Sequence, residues 1–178
     1  MTSLPRLLPA AASLALLLSV TLPAQAVFLA TDKPAPASVD LRPGVLQPAA
    51  AQLAAVSALG GHATWNRFGT VHSLVRHGGY LATGLAGTPV EAARTFIKTH
   101  RDLFKLSAAA VDQLELVNDG ITPGSAGHAV LFRQRFGGMR VSHDGLITVG
   151  IVGGKVYYVS SSSAGDQPLP AAPRLTAG

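Results

Sequence analysis

The stretch from Val130 to Gly145 constrains the fold more than any other part of the sequence. Val130, Phe132 and Phe136 fall on one set of alternate positions and Arg133 and Arg135 on the other, the period of two expected of a strand with one buried face. Gly137-Gly138 supplies a tight turn, and Asp144-Gly145 supplies a second. Ile147, Val149 and Ile151 then resume the alternation, and Gly153-Gly154 leads into Lys155–Ser161. Turns this short join antiparallel neighbours, because a parallel pair needs a long crossover. The second half of the chain is therefore expected to build an antiparallel meander.

Such a sheet needs a cover on its apolar face, and residues Pro89 to Leu106 supply one. Thr88 is positioned as N-cap, Pro89 sits at the first helical position where its missing N–H costs nothing, and Glu91 completes a capping box. Val90, Ala93, Phe96, Ile97, Leu103 and Phe104 form one apolar stripe, with Arg94, Lys98, Arg101 and Lys105 on a face read as solvated. Helix and sheet each bury one side against the other. The expected fold class is thus α+β, an antiparallel β-meander packed on one face by an amphipathic helix. Around this centre, Pro48 to Leu59 reads as an alanine-rich helix stopped by Gly60-Gly61, and Ala63 to Leu74 as one strand bent at Gly69. His77-Gly78-Gly79 reads as a turn, Ser107 as the cap of a short helix reaching about Leu114, and Asp119-Gly120 and Pro123-Gly124 as turns.

The ends have a different character. Residues 1–26 carry Arg6, an apolar run from Leu7 to Leu22, and Ala24-Gln25-Ala26 as a small-x-small site, the pattern of a signal peptide cut after Ala26. Pro9, Pro23 and the missing basic stop-transfer flank argue against a retained anchor, so no stable membrane anchor is expected after cleavage. Residues 27–47, with Pro34, Pro36 and Pro43, read as an extended, mobile leader; residues 48–163 form the α+β domain, and 164–178 a flexible linker or tail. The expected location is secreted and extracellular, and the richness in Ala, Gly and Leu points to a bacterial source. There is no cysteine, so stability has to come from an apolar core and not from disulfides. Without Arg6 the net charge is about +4, carried by scattered residues. The lack of a basic cluster argues against nucleic acid as a partner.

The chemistry-bearing residues do not assemble into a catalytic pattern. Of six histidines, His72 and His77 are five apart, which fits neither a helical i,i+4 pair nor a usual zinc spacing, and His128 and His143 lie among strands. Only two glutamates occur, Glu91 in the helix cap and Glu115. Asp112, Asp119 and Asp144 are isolated in sequence, and Ser160–Ser163 is not a nucleophile elbow. The glycine pairs suit turns, and none opens a helix as a phosphate loop does. No catalytic, cofactor-binding or metal-ligating residue is assigned, and no cofactor is expected.

The order of three landmarks carries a resemblance. They are Ala63-Thr64-Trp65-Asn66-Arg67-Phe68-Gly69-Thr70, the Glu91-to-Leu106 helix ending Phe104-x-Leu106-Ser107, and the Phe132-to-Gly145 hairpins. Together, following a signal peptide, they resemble the propeptide region of the fungalysin and thermolysin metallopeptidases, with the fungalysin branch the closer, over roughly Ala63 to Ser163. The zinc-binding H-E-x-x-H helix of those enzymes does not occur in the sequence. The resemblance implies a propeptide that assists folding of a secreted zinc metallopeptidase catalytic domain and inhibits it, in cis or in trans, as a truncated or free-standing pro-region that is not itself an enzyme. The alternatives are a secreted cell-envelope or ligand-binding module without a protease partner, and a small enzyme. The enzyme would require a cleft joining His143 and Asp144 to a further polar group.

Overall fold

The computed structural model describes residues 44–168. The expected signal peptide (1–26), most of the expected leader (27–47) and the last ten residues lie outside them. The chain runs through helix α1 (Ala50–Ala58), strands β1 (His62–Trp65) and β2 (Val71–Val75), helix α2 (Pro89–Thr99), a 3₁₀ turn (Arg101–Phe104) and helix α3 (Ala108–Asp112). Six strands follow: β3 (Glu115–Ile121), β4 (His128–Arg133), β5 (Arg135–Phe136), β6 (Met139–Arg140), β7 (Leu146–Val152) and β8 (Lys155–Ser161). The main sheet is antiparallel throughout, in the order β1-β2-β8-β7-β4-β3, and β5-β6 form a separate finger. The meander β3-β4-β7-β8 is as expected; the β1-β2 hairpin extends it by pairing β2 with β8.

One face of the sheet is apolar and covered by α2. Val130 and Phe132 of β4, Ile147, Val149 and Ile151 of β7, and Val156 and Val159 of β8 are buried there with Phe96 and Ile97 of α2. The capping box forms as the sequence implied: the Thr88 hydroxyl accepts the Glu91 N–H, and the Glu91 carboxylate accepts the Thr88 N–H at 2.7 Å. The Thr88 N–H, together with the Thr88 hydroxyl donating at 3.0 Å, holds the Glu91 carboxyl below its ordinary pKa of 4.5.

Several expectations are corrected. The helix from Pro89 stops at Thr99 and does not continue to Leu106. Thr99 and His100 are poor helix formers, and the Thr99 hydroxyl donates to the Thr95 carbonyl at 2.9 Å, in competition with the helix ladder. The 3₁₀ turn that follows drives Leu103 and Phe104 fully into the core, and Lys105 closes it with φ 51°. The basic face is only partly solvated. Arg94 donates to the Val111 and Leu114 carbonyls at 2.7 and 2.9 Å while its guanidinium lies 4.8 Å above the Phe132 ring, and Lys105 donates to the Phe68 carbonyl. Ala63 to Leu74 is two strands and not one bent strand. Asn66 turns the chain, its Oδ1 accepting the N–H groups of Phe68 and Thr70.

Asp119-Gly120 lies inside β3, paired with Val130 and Ala129, because ladder pairing with β4 overrides the local turn preference. Pro123-Gly124 does make the turn. Phe136 does not share the Phe132 face. The chain leaves the sheet at Gln134, whose buried side chain accepts the Ala164 N–H and donates to the Gly165 carbonyl. Ala164 and Gly165, expected from the sequence to lie in a flexible tail, are thus bonded to the domain. Ser163 is fully buried, its hydroxyl donating to the Phe104 carbonyl at 3.0 Å, and Asp166 accepts the Ser107 N–H. On the uncovered face, an irregularity between β7 and β8 puts Tyr157 and Tyr158 side by side over Gly150, ring centres 5.0 Å apart.

Candidate functional site

The residues singled out in the sequence go to separate places. His72 Nδ1 lies 3.0 Å from the Ser161 carbonyl, His128 Nδ1 2.8 Å from Asp119 Oδ1, and His143 Nδ1 3.1 Å from the neighbouring Ser142 hydroxyl. Asp144 turns away from His143 and pairs with Arg67 at 2.6 Å. The two belong to a shallow hollow of about 420 Å³ with Trp65, Asn66, Phe68, His72 and Ser162. The Arg67 guanidinium lies 4.8 Å over the Phe68 ring, and the Ser162 hydroxyl accepts the Leu146 N–H. The hollow does not bring His143 and Asp144 together. Asp112 pairs with Lys98. Ser161 and Ser163 are structural, the Ser161 hydroxyl accepting the Ser163 N–H. Among the described residues no group of three or more His, Asp or Glu converges as a metal site.

Of the two terminal strands of the sheet, β1 and β3, the β3 edge is the more distinctive surface. β3 pairs with β4 on one side and ends the strand order on the other, so alternate N–H and C=O groups face outward. It also carries exposed apolar side chains: Leu116 is 44% exposed, Val117 40% and Ile121 69%. The ladder is irregular between Leu116 and Asn118, which sets Val117 out of the regular pairing. At the start of the strand, Arg140 grips Glu115 through two contacts, at 3.0 and 2.9 Å, tethering the β5-β6 finger beside the edge. At its other end, Asp119 and His128 pair across to β4. Charged groups and an irregularity are devices that discourage edge-to-edge pairing between copies. Here they flank Leu116 and Val117, with Ile121 beyond Asp119 at the end of the strand.

No family model, curated protein or solved structure matches the chain. The functional reading therefore rests on the residues and their geometry. The edge was not singled out in the sequence, although Leu116, Val117 and Ile121 are three apolar residues in seven that do not share one face of an alternating strand. That mismatch was the available signal.

Proposed function

We propose that this chain is a non-catalytic, propeptide-type module: a folding assistant and inhibitor of a secreted zinc metallopeptidase, acting in cis or in trans. The open β3 edge with Leu116, Val117 and Ile121 exposed is the observation that carries the docking part of the reading. A preformed edge lets a slow-folding partner complete main-chain hydrogen bonds on a rigid template, while the apolar side chains add burial and select the register. Inhibition needs only that the docked surface cover the partner's cleft, and it asks for no catalytic group from this chain. The choice of a zinc metallopeptidase as partner is supported by the resemblance of the Ala63–Thr70, Glu91–Leu106 and Phe132–Gly145 segments to the fungalysin propeptide.

The test is refolding in trans. Residues 27–178 are added to a denatured fungalysin-type catalytic domain from the same organism, and recovered proteolysis is followed against time. Faster or greater recovery, or dose-dependent inhibition of the folded enzyme, supports the proposal. Neither effect from a folded sample refutes it.

A further inference from the structure

A second feature, unconnected with the edge, lies where β1 begins and β2 ends. The rings of His62 and His77 sit with centroids 5.1 Å apart and planes inclined at 49°. Their placement follows from the hairpin: His62 pairs with Val75, and His77 lies two residues further on, so the turn brings the second ring back beside the first. Both side chains are exposed. His72, His128 and His143 engage Nδ1 in hydrogen bonds, and His100 packs on Phe96. By contrast, His62 and His77 make only their mutual ring contact among the described residues.

We propose that His62 and His77 form a two-imidazole site for a borderline divalent ion, of the class Cu²⁺, Ni²⁺ or Zn²⁺, with water in the remaining positions. The spacing fits. With a metal–nitrogen bond of about 2.1 Å, and roughly 1.1 Å from ring nitrogen to ring centre, each centroid stands about 3.2 Å from a bound ion. Two ligands then place their centroids about 5.2 Å apart at the tetrahedral angle of zinc and about 4.5 Å apart at the right angle copper and nickel prefer, and the observed 5.1 Å falls within that range. An inclined pair of planes is compatible with two rings aimed at one point, and exposed rings reorient between staggered rotamers at small cost. The opposing term is Arg76, whose charge disfavours a dication. Its guanidinium donates to the Tyr80 carbonyl and lies along Gly60 and Gly79. Imidazole ligation sets the preference: copper tightest, nickel and zinc weaker, magnesium and calcium unbound. Bound there, the ion ties the start of β1 to the exit of β2 and stiffens the hairpin.

The test is calorimetric titration of the full chain with Ni²⁺ and Cu²⁺, with continuous-wave spin resonance of the copper form. The expected result is one tight site per chain with a nitrogen-ligated copper spectrum. His62→Ala or His77→Ala should each weaken it by on the order of a hundredfold, since a chelate becomes a single ligand. His72→Ala should leave it unchanged. The idea is overturned if the double variant His62→Ala/His77→Ala, shown folded by circular dichroism, keeps the same isotherm, or if His72→Ala weakens binding as much as the pair does.

Discussion

The two glycines of the β7-β8 turn are chemically identical neighbours that should respond differently to the same substitution. Both have left-handed backbones, φ 52° at Gly153 and 70° at Gly154. An alanine at either position costs about 1–2 kcal/mol for that conformation alone. The surroundings differ. A Cβ on Gly153 would meet nothing within 4 Å, whereas one on Gly154 would lie 2.5 Å from the Leu85 carbonyl oxygen. That oxygen belongs to a backbone strapped across the turn, with Leu85 donating to the Gly154 carbonyl at 3.0 Å and Leu81 to that of Val156 at 2.8 Å. The clash therefore cannot be relieved by a rotamer change. It adds an overpacking cost of about 1–3 kcal/mol, giving about 2–5 kcal/mol for Gly154→Ala. Urea unfolding followed by circular dichroism and Trp65 fluorescence measures both, with an unchanged slope as the check that the same transition is compared. Equal losses for Gly153→Ala and Gly154→Ala would refute the claim that the 81–85 segment is rigidly docked on this turn.

Four further outcomes follow from the same geometry. Gln134→Ala strands the buried Ala164 N–H and Gly165 carbonyl, and should cost about 1–3 kcal/mol, with faster amide exchange at Ala164 in hydrogen-exchange mass spectrometry. Burial holds the pKa of His100 below its ordinary 6.5, so the unfolded chain takes up its proton at higher pH than the folded one. The corresponding stability is complete above about pH 6.5 and is lost as pH falls through the folded value; His100→Gln should flatten the urea midpoint over that window. Glu91 has the same sign lower down, its contribution being present above pH 4.5 and lost in acid, and Thr88→Ala should shrink that acid limb. Replacing Leu116, Val117 and Ile121 together by Lys should leave the chain folded by circular dichroism while abolishing its assistance to a refolding peptidase.

Features whose causes lie within a few residues were legible in the sequence. The Thr88–Glu91 capping box spans four residues, the Ile147-Val149-Ile151 alternation spans five, and both stand in the structure as read. What escaped depends on partners far along the chain. Gln52 is buried because its amide donates to the carbonyls of Gly69 and Leu103, 17 and 51 residues away, and nothing near it announces that role. Asp119-Gly120 carries a strong turn signal that loses to six paired positions along β4. The edge identity of β3 is also non-local. It follows from β2 choosing β8 as neighbour, which fills the other side of the meander and leaves β3 last in the order. The partners of the carboxylates are likewise non-local: Asp112 pairs with Lys98, Glu115 with Arg140, Asp119 with His128 and Asp144 with Arg67.

The docking claim is tested most directly by amide hydrogen exchange of residues 27–178 with and without a folded fungalysin-type catalytic domain. The account predicts new protection concentrated in Glu115–Ile121, at amides that face away from β4, with little change in β7 and β8, which are already paired on both sides. Binding that protects some other surface, or a β3 that exchanges as fast in the mixture as alone, would contradict it.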